Sequence, residues 1–318
     1  MSALVNEPDT ARLLGSRPDV DKPDGAVREL HGPTRCPVRA YAGWMQPWHG
    51  RGIDWDGHVL LIHASEPERR AGVVSWVRRG LESDSRIVYL EAADEPADRS
   101  LLGVLATHHV DVTRAVDRGQ LQVVDPAVGV GSAWQTALVE EGLRAGYPAV
   151  RLAGEARTSW QVMQLEDHAD AERMADELCR SRPVSILCQY PSDAEASILE
   201  KACAMHGAGV RGAKLLTVPL PDGVAVAGEI DVSNVRIVRS AVAAACGADP
   251  EGHPTVVVDL TRLSFIDVAG ARALLTATAA HRDQGGVVWL RDAQPTVDRL
   301  LRQLGVDTFA GVTLKDRL

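Results

Sequence analysis

One turn in the C-terminal third of the sequence combines a carboxylate, a glycine and the start of a helix. In SFIDVAGARALL, residues 264–275, a hydrophobic strand ends at Asp267, which stands where a helix N-cap belongs. Gly270 lets the first helical turn approach another backbone. A hydroxyl between these two residues would lie at the positive end of the helix, a position that favours a phosphate. The sequence has Ala269 there, so covalent chemistry excludes phosphorylation at that position.

A second set of polar side chains follows the predicted strands of the first half. The carboxyl ends of parallel strands meet at one edge of a sheet, and ligands tend to bind there. We therefore expect one ligand-binding edge built from the residues at these strand ends: His63, Glu91, Asp125, Glu155, Gln189 and Tyr190. Trp134 and Trp160 follow two of the strands and are predicted to wall a pocket at this edge.

Motifs that would make the protein an enzyme are missing from the sequence. No GxxxxGK[ST] loop and no GxGxxG follows any strand, and DPAVGVGSAW, residues 125–134, lacks the lysine and the third glycine of a nucleotide loop. There is no GxSxG nucleophile elbow. Adjacent His108 and His109 diverge on a helix, and LEDHADAE, residues 165–172, is typical of a solvated helix face. We predict no catalytic residue, no metal site and no cofactor.

Composition narrows the class of protein further. The chain has 318 residues of which 45% are apolar, enough to fill two cores. Its net charge of −9, without a basic cluster, disfavours a nucleic-acid partner. Five cysteines without a CxxC pair suggest neither a disulfide framework nor a zinc site, but a reducing compartment. Without a signal peptide or an apolar run of membrane-spanning length, we expect a cytoplasmic protein with no membrane partner.

The elements that must position these residues begin after a leader. Residues 1–55 are rich in Pro, Gly, Asp and Arg without a sustained period, which predicts a mobile leader. Two interpretations of Trp44, Trp48 and Trp55 within this leader are equally open. In one they dock on the following domain, and in the other they belong to a tail that touches nothing.

Two domains are predicted after the leader. Over residues 56–206, near-continuous apolar strands alternate with helical stretches, which predicts a doubly wound α/β domain with a parallel sheet. The expected strands span 58–64, 86–92, 121–125, 149–155 and 184–190. A glycine-rich break at 207–214 precedes a small α/β domain over 213–316, with a strand at 255–260 and a helix near 269–284.

The second domain resembles the STAS domain of anti-sigma-factor antagonists. That family's signature runs strand, Asp, small residue, phosphorylatable Ser or Thr, Gly and helix, and residues 259–275 follow it except at Ala269, which takes the phospho-acceptor position. GEID, residues 228–231, matches the strand-to-helix turn near the start of that fold. The resemblance implies that an anti-sigma factor or related kinase-like protein binds a surface formed by Asp267, Val268, Ala269, Gly270 and Arg272.

The first domain resembles the MEDS sensory domain of methanogen and methylotroph regulators. The resemblance is carried by HVLLIHASEPE, DRGQLQVVD, GYPAVRLAGEARTSW and PVSILCQYPSD. That domain is similar to a RecA or KaiC core without its nucleotide-hydrolysing loop. The resemblance implies sensing of a small molecule or another signal.

Together the two resemblances predict a non-catalytic signalling regulator. Its sensory domain would be coupled to a STAS output domain that engages an anti-sigma factor. Two alternatives stay open, namely a nucleotide- or metabolite-handling enzyme on the RecA-like core and a scaffold that forms homo-oligomers through its STAS domain.

Overall fold

The computed structural model describes residues 55–128, 132–158, 165–247 and 255–315, all within one compact unit, Ile53–Leu318. Of the predicted leader only Trp55 is described, and Trp44, Trp48 and Trp160 lie outside these ranges. Trp55 contacts the folded unit, since the Arg211 guanidinium lies 4.4 Å from the centre of its ring and its carbonyl oxygen accepts a 2.8 Å hydrogen bond from Arg151. Docking therefore holds for this one tryptophan.

The first half alternates parallel strands with helices, as the apolar pattern predicts. Its strands are β1 (His58–His63), β2 (Arg86–Leu90), β3 (Leu121–Val124), β4 (Val150–Glu155) and β5 (Val184–Pro191). Its helices are α1 (Glu66–Glu82), α2 (Leu101–Thr107), α3 (Thr113–Asp117), α4 (Ser132–Arg144), α5 (Leu165–Ser181) and α6 (Ala196–Met205). The strands pair in parallel in the order β1-β5-β4-β2-β3. The predicted α/β class is confirmed.

The second half adds a short joining strand, a hairpin and three further parallel strands. Its strands are β6 (Val210–Arg211), β7 (Leu215–Leu220), β8 (Gly223–Ile230), β9 (Thr255–Ile266), β10 (Val287–Arg291) and β11 (Val312–Lys315). Its helices are α7 (Val235–Gly247), α8 (Val268–Ala277), α9 (Ala279–Asp283) and α10 (Pro295–Gln303). β7 and β8 are antiparallel, whereas β8, β9, β10 and β11 run parallel.

Two elements of the second half differ from their predicted bounds. β9 continues to Ile266 rather than ending at 260, because two register shifts against β8 keep the strands paired while Leu263 and Ile266 stay buried. The predicted helix near 269–284 is divided at Thr278, whose hydroxyl donates back to the carbonyl of Leu274 at 2.9 Å. Such back-bonding bends helices.

The predicted glycine-rich break lies inside a continuous sheet. Among the described residues, eleven strands form one sheet in which β6 joins the two halves, parallel to β1 and antiparallel to β7. Gly209 allows the chain just before β6 to come close to β7, because its φ is +105° and a Cβ there would lie 2.3 Å from the carbonyl oxygen of Thr217. The hydrogen-bonded sheet thus runs from the first half into the second without interruption.

The two halves also share a hydrophobic core beneath this junction. Leu199 and Ala202 of α6 are fully buried in the same cluster as Val238 and Val242 of α7. Arg236 of α7 donates a 2.7 Å hydrogen bond to the carbonyl of Ala194, just before α6. A displacement of α6 would therefore disturb the packing of α7.

Candidate functional site

The carboxyl ends of β1, β4 and β5 bring three of the predicted ligand residues together. β5 lies between β1 and β4, and Gln189 of β5 is in register with Glu155 of β4. Across this strand the His63 Nε2 lies 3.6 Å from the Glu155 Oε1, with both side chains largely buried. Among the described residues His63 Nε2 has no hydrogen-bond partner. A buried imidazole nitrogen therefore lies next to a carboxylate at this edge of the sheet.

A buried arginine that the sequence did not single out organises this edge. Arg69 of α1 is only 4% exposed, and its Nη1 donates to the Tyr89 hydroxyl at 2.9 Å and to the Gln189 Oε1 at 3.3 Å. Its Nε and Nη2 both donate to the carboxylate of Glu66, one turn earlier in α1. In the sequence Arg69-Arg70 is an isolated basic pair, and no local signal marks which of the two arginines is buried.

Burial sets the charges at this edge. Burial, with a smaller effect of the Arg69 charge, lowers the pKa of His63 to about 4, so the imidazole is neutral at pH 7. Burial also raises the pKa of the Glu155 carboxyl. Burial alone would raise the pKa of Glu66, but hydrogen bonds from Arg69 and Arg70 outweigh it and lower that pKa to about 2. The edge holds a neutral imidazole next to a fixed arginine–carboxylate pair.

Two other predicted ligand residues, Glu91 and Asp125, accept backbone hydrogen bonds near the ends of their own strands. The Glu91 carboxylate accepts a hydrogen bond from the backbone N–H of Leu101, and burial raises its pKa. Asp125 accepts from the N–H of Ala127 at 2.8 Å. Trp134 lies half-buried in the first turn of α4.

Tyr190 is directed away from the His63–Glu155 pair. Neighbouring residues of a strand face opposite sides of a sheet, so the side chain after Gln189 lies on the other face. Its hydroxyl donates a 2.8 Å hydrogen bond to Glu172 of α5, next to His58, Cys188 and His206. Those four residues offer metal-ligating atoms that the sequence did not connect.

The turn between β1 and α1 carries carboxylates where a phosphate loop would place backbone donors. Glu68 Oε2 accepts the backbone N–H of Ala64 at 2.8 Å, and Glu66 occupies the first turn of α1. Negative charge at a helix N-terminus is stabilised by the helix dipole, but it repels a second anion. The turn is therefore poorly suited to a nucleotide phosphate.

In the second half, Asp267 joins two turns. It is the N-cap of α8, and its Oδ1 accepts the N–H of Gly270 at 2.7 Å. Its Oδ2 accepts the N–H of Val232 at 3.1 Å, in the turn that follows β8. The predicted N-cap is confirmed, and it fixes the GEID turn, 228–231, against the start of α8.

The surface around these turns is apolar and exposed. Val268 is 55% exposed and Val232 is 73% exposed, and Arg272 is also at the surface. Ala269 is the second residue of α8, directly after Val268, and is half-buried. Gly270 is buried and packs closely on Ile230, so that a Cβ at residue 270 would lie 2.6 Å from the Ile230 Cγ2. Such an apolar patch is typical of a protein-binding surface.

Comparison with known families and structures gives matches to both halves. Residues 57–207 match the family model of MEDS, the methanogen/methylotroph DcmR sensory domain, and residues 219–314 match the family described as Mlab, STAS domain. No curated protein matches the chain. Among the described residues, none of the helices has the length and apolar character needed to cross a bilayer.

Two solved structures resemble part of the chain. One is the anti-sigma factor antagonist SpoIIAA in its unphosphorylated form, at 20% identity over 31% of this chain and 86% of that one, with a TM-score of 0.26. The other is a Thermotoga maritima protein proposed to be an anti-sigma factor antagonist, at 17% identity over 32% of this chain and 86% of that one, also with a TM-score of 0.26. The predicted resemblances are confirmed, and the chain carries a MEDS domain followed by a STAS domain.

Proposed function

We propose that this protein is a non-catalytic signalling regulator whose MEDS domain senses a small molecule and whose STAS domain binds a protein partner. The partner class is an anti-sigma factor or a related kinase-like protein, and the contact surface comprises Asp267, Val268, Ala269, Gly270 and Arg272. The observation that carries this proposal is the exposed apolar patch at the start of α8, where Val268 is 55% exposed beside the capping carboxylate.

Regulation at this surface cannot use a phosphate at residue 269, because alanine has no hydroxyl. The surface stays uncharged there, as in an unphosphorylated protein of the family, so the partner would bind unless the sensory domain intervenes. The route for that intervention is α6, which ends the first half and packs against α7. Binding at the edge near His63 and Glu155 is thus proposed to alter the STAS surface through this shared core.

The enzyme alternative is opposed by the acidic β1–α1 turn. Glu68 already occupies the backbone N–H of Ala64, and Glu66 adds a second carboxylate. We expect the purified chain to hydrolyse ATP no faster than a buffer control. ATP turnover that Glu155→Gln abolishes would favour the enzyme over the sensor.

The partner surface is tested with Ala269→Glu. The partner is first identified by co-purification from the native host and then titrated calorimetrically with wild type and variant. A carboxylate buried in the contact without a counter-charge costs several kcal/mol, which the helix N-terminus offsets by only ~0.5–1 kcal/mol. We expect at least a tenfold loss of affinity.

Ala133→Glu is the matched control, because Ala133, like Ala269, is the second residue of a helix, here α4 of the MEDS domain. It should leave affinity unchanged. Equal affinities of wild type and Ala269→Glu would mean that this face is not the output surface. The scaffold alternative predicts instead a concentration-dependent homo-oligomer in sedimentation velocity, which Ala269→Glu would dissociate.

A further inference from the structure

A second constellation of reactive side chains lies on the opposite face of the sheet from Gln189. It comprises His58 at the start of β1, Cys188 in β5, Glu172 in α5 and His206 directly after α6. One ligand atom from each residue lies within 4.8 Å of the others. His58, Glu172 and His206 are at most 4% exposed. Four separate elements therefore place two imidazoles, a thiol and a carboxylate around one point.

Four of the six distances between these atoms are close to the edges of a tetrahedron around a metal ion. Glu172 Oε2 lies 3.1 Å from His58 Nε2, 3.4 Å from His206 Nε2 and 3.3 Å from Cys188 Sγ. Cys188 Sγ lies 3.5 Å from His58 Nε2. Tetrahedral zinc, with bonds of about 2.0–2.2 Å to nitrogen and oxygen and about 2.3 Å to sulfur, gives N–O edges of about 3.3–3.5 Å and edges to sulfur of about 3.5–3.7 Å. These four distances lie within about 0.4 Å of such edges. The rings of His58 and His206 stack with their centroids 3.9 Å apart, so one ring must tilt for both Nε2 lone pairs to reach one ion.

Hydrogen bonds outside the cluster orient its members. His206 Nδ1 lies 2.7 Å from the carbonyl oxygen of Ala202 and donates to it, so the lone pair of Nε2 points into the cluster. That Nε2 is fully buried and has no hydrogen-bond partner among the described residues. The Tyr190 hydroxyl binds Glu172 Oε1, which leaves Oε2 to face the cluster. Asp176 lies 3.6 Å from His58 Nδ1.

We propose that His58, Glu172, Cys188 and His206 form a binding site for one zinc-class divalent transition-metal ion. Imidazole and thiolate ligands favour such an ion over magnesium or calcium, which prefer oxygen ligands. Four protein ligands in a buried tetrahedral set leave no open position for a substrate, so the site is structural. It would tie β1 and β5 to α5 and to the end of α6, the helix that packs on the STAS domain.

This proposal reverses the expectation of no metal site drawn from the sequence. The ligands show no short repeat such as CxxC, because the fold collects them from elements that are distant in the chain. The competing interpretation is an ion-pair network in which a proton takes the place of the metal. Burial alone would lower the pKa of His58, but Asp176 and Glu172 outweigh it and raise that pKa to about 9.

The direct test is a titration of the metal-depleted full-length chain with Co²⁺, followed by visible and near-ultraviolet absorption. We expect saturation at one equivalent, visible bands of a tetrahedral cobalt site and a thiolate-to-cobalt charge-transfer band, all abolished by stoichiometric Zn²⁺. The absence of saturable binding, or an octahedral spectrum without charge transfer, would overturn the proposal.

Two cysteine variants identify the thiolate. Cys188→Ser should lose the charge-transfer band, whereas Cys203→Ser should keep it, because Cys203 is a buried thiol of α6 outside the cluster. A band that persists in Cys188→Ser places the metal elsewhere and overturns the assignment.

A third variant keeps the proposal testable if Cys188→Ser does not fold. Glu172→Gln preserves the side-chain shape and the acceptor for Tyr190 but removes the anionic ligand. We expect it to bind Co²⁺ at least tenfold more weakly than wild type, and Zn²⁺ to raise the melting temperature of wild type more than that of the variant. Equal Co²⁺ affinities and equal shifts would favour the ion-pair network.

Discussion

Asp267 and Val232 are joined by a 3.1 Å hydrogen bond across 35 residues of sequence, from the backbone N–H of Val232 to the Asp267 carboxylate. The other oxygen of that carboxylate caps α8 at Gly270. One side chain therefore fixes the turn after β8 to the turn after β9. The two sequence motifs that carry the STAS resemblance are thus two parts of one surface.

Removing this carboxylate should destabilise the STAS half. Asp267→Ala loses the N-cap of α8 and the link to Val232, and we expect the free energy of unfolding to fall by about 1–2 kcal/mol. Asp267→Asn keeps one acceptor oxygen, which caps helices as well as a carboxylate does, but its NH2 group cannot accept from the Val232 N–H. We therefore expect it to keep the cap, lose the link and cost about 0.5–1 kcal/mol, less than Asp267→Ala. Urea unfolding followed by circular dichroism measures both. Equal losses in the two variants would show that the capping hydrogen bond is not what stabilises the turn.

Gly228, the first residue of the GEID motif, should tolerate no side chain. Its φ is +92°, and a Cβ would lie 2.1 Å from the backbone oxygen of Lys214. Gly285 has a similar φ of +88° but nothing within 4 Å of its Cβ position, which makes it a matched control. We expect Gly285→Ala to cost about 1 kcal/mol and Gly228→Ala at least about 2 kcal/mol more, because backbone must move. Thermal unfolding of both variants measures these costs, and equal costs would contradict the steric argument.

The bounds of the strands could be predicted from the sequence, whereas the contacts between side chains from different strands and helices could not. The strands of the first half begin and end within about two residues of their predicted bounds, because continuous apolar runs between helices are a local signal. The burial of Arg69 has no such signal, since it depends on Tyr89 and Gln189 from two other strands. The cluster around Glu172 was missed for the same physical reason.

Arg69 should contribute far more to stability than its neighbour Arg70, although both bind Glu66. Arg69→Met removes a buried cation from Tyr89 and Gln189, whose side chains stay hydrogen-bonded to each other. We expect a loss of about 2–4 kcal/mol for Arg69→Met and less than about 1 kcal/mol for Arg70→Met, whose side chain is more exposed. Chemical denaturation of both variants checks the ranking. Similar losses would mean that the charge pair with Glu66, rather than the buried hydrogen bonds, stabilises this edge.

His63 should make the stability of the protein depend on pH between about 6.5 and 4. Its pKa falls from 6.5 in the unfolded chain to about 4 in the folded protein, chiefly through burial, so in this window the unfolded state binds a proton that the folded state does not. The stabilisation is complete above pH 6.5 and is lost as the pH falls to 4. A shift of this size corresponds to about 3 kcal/mol.

His63→Gln removes that contribution while keeping a polar side chain next to Glu155. We expect the free energy of unfolding of the variant to fall less than that of wild type between pH 7 and pH 4, by up to about 3 kcal/mol. Ionisations of the other residues occur in both proteins and cancel from the difference. Urea denaturation at half-unit pH steps measures the free energy of unfolding of both proteins. Parallel curves for the two proteins would show that the pKa of His63 is the same in the folded protein and in the unfolded chain, contrary to its buried position.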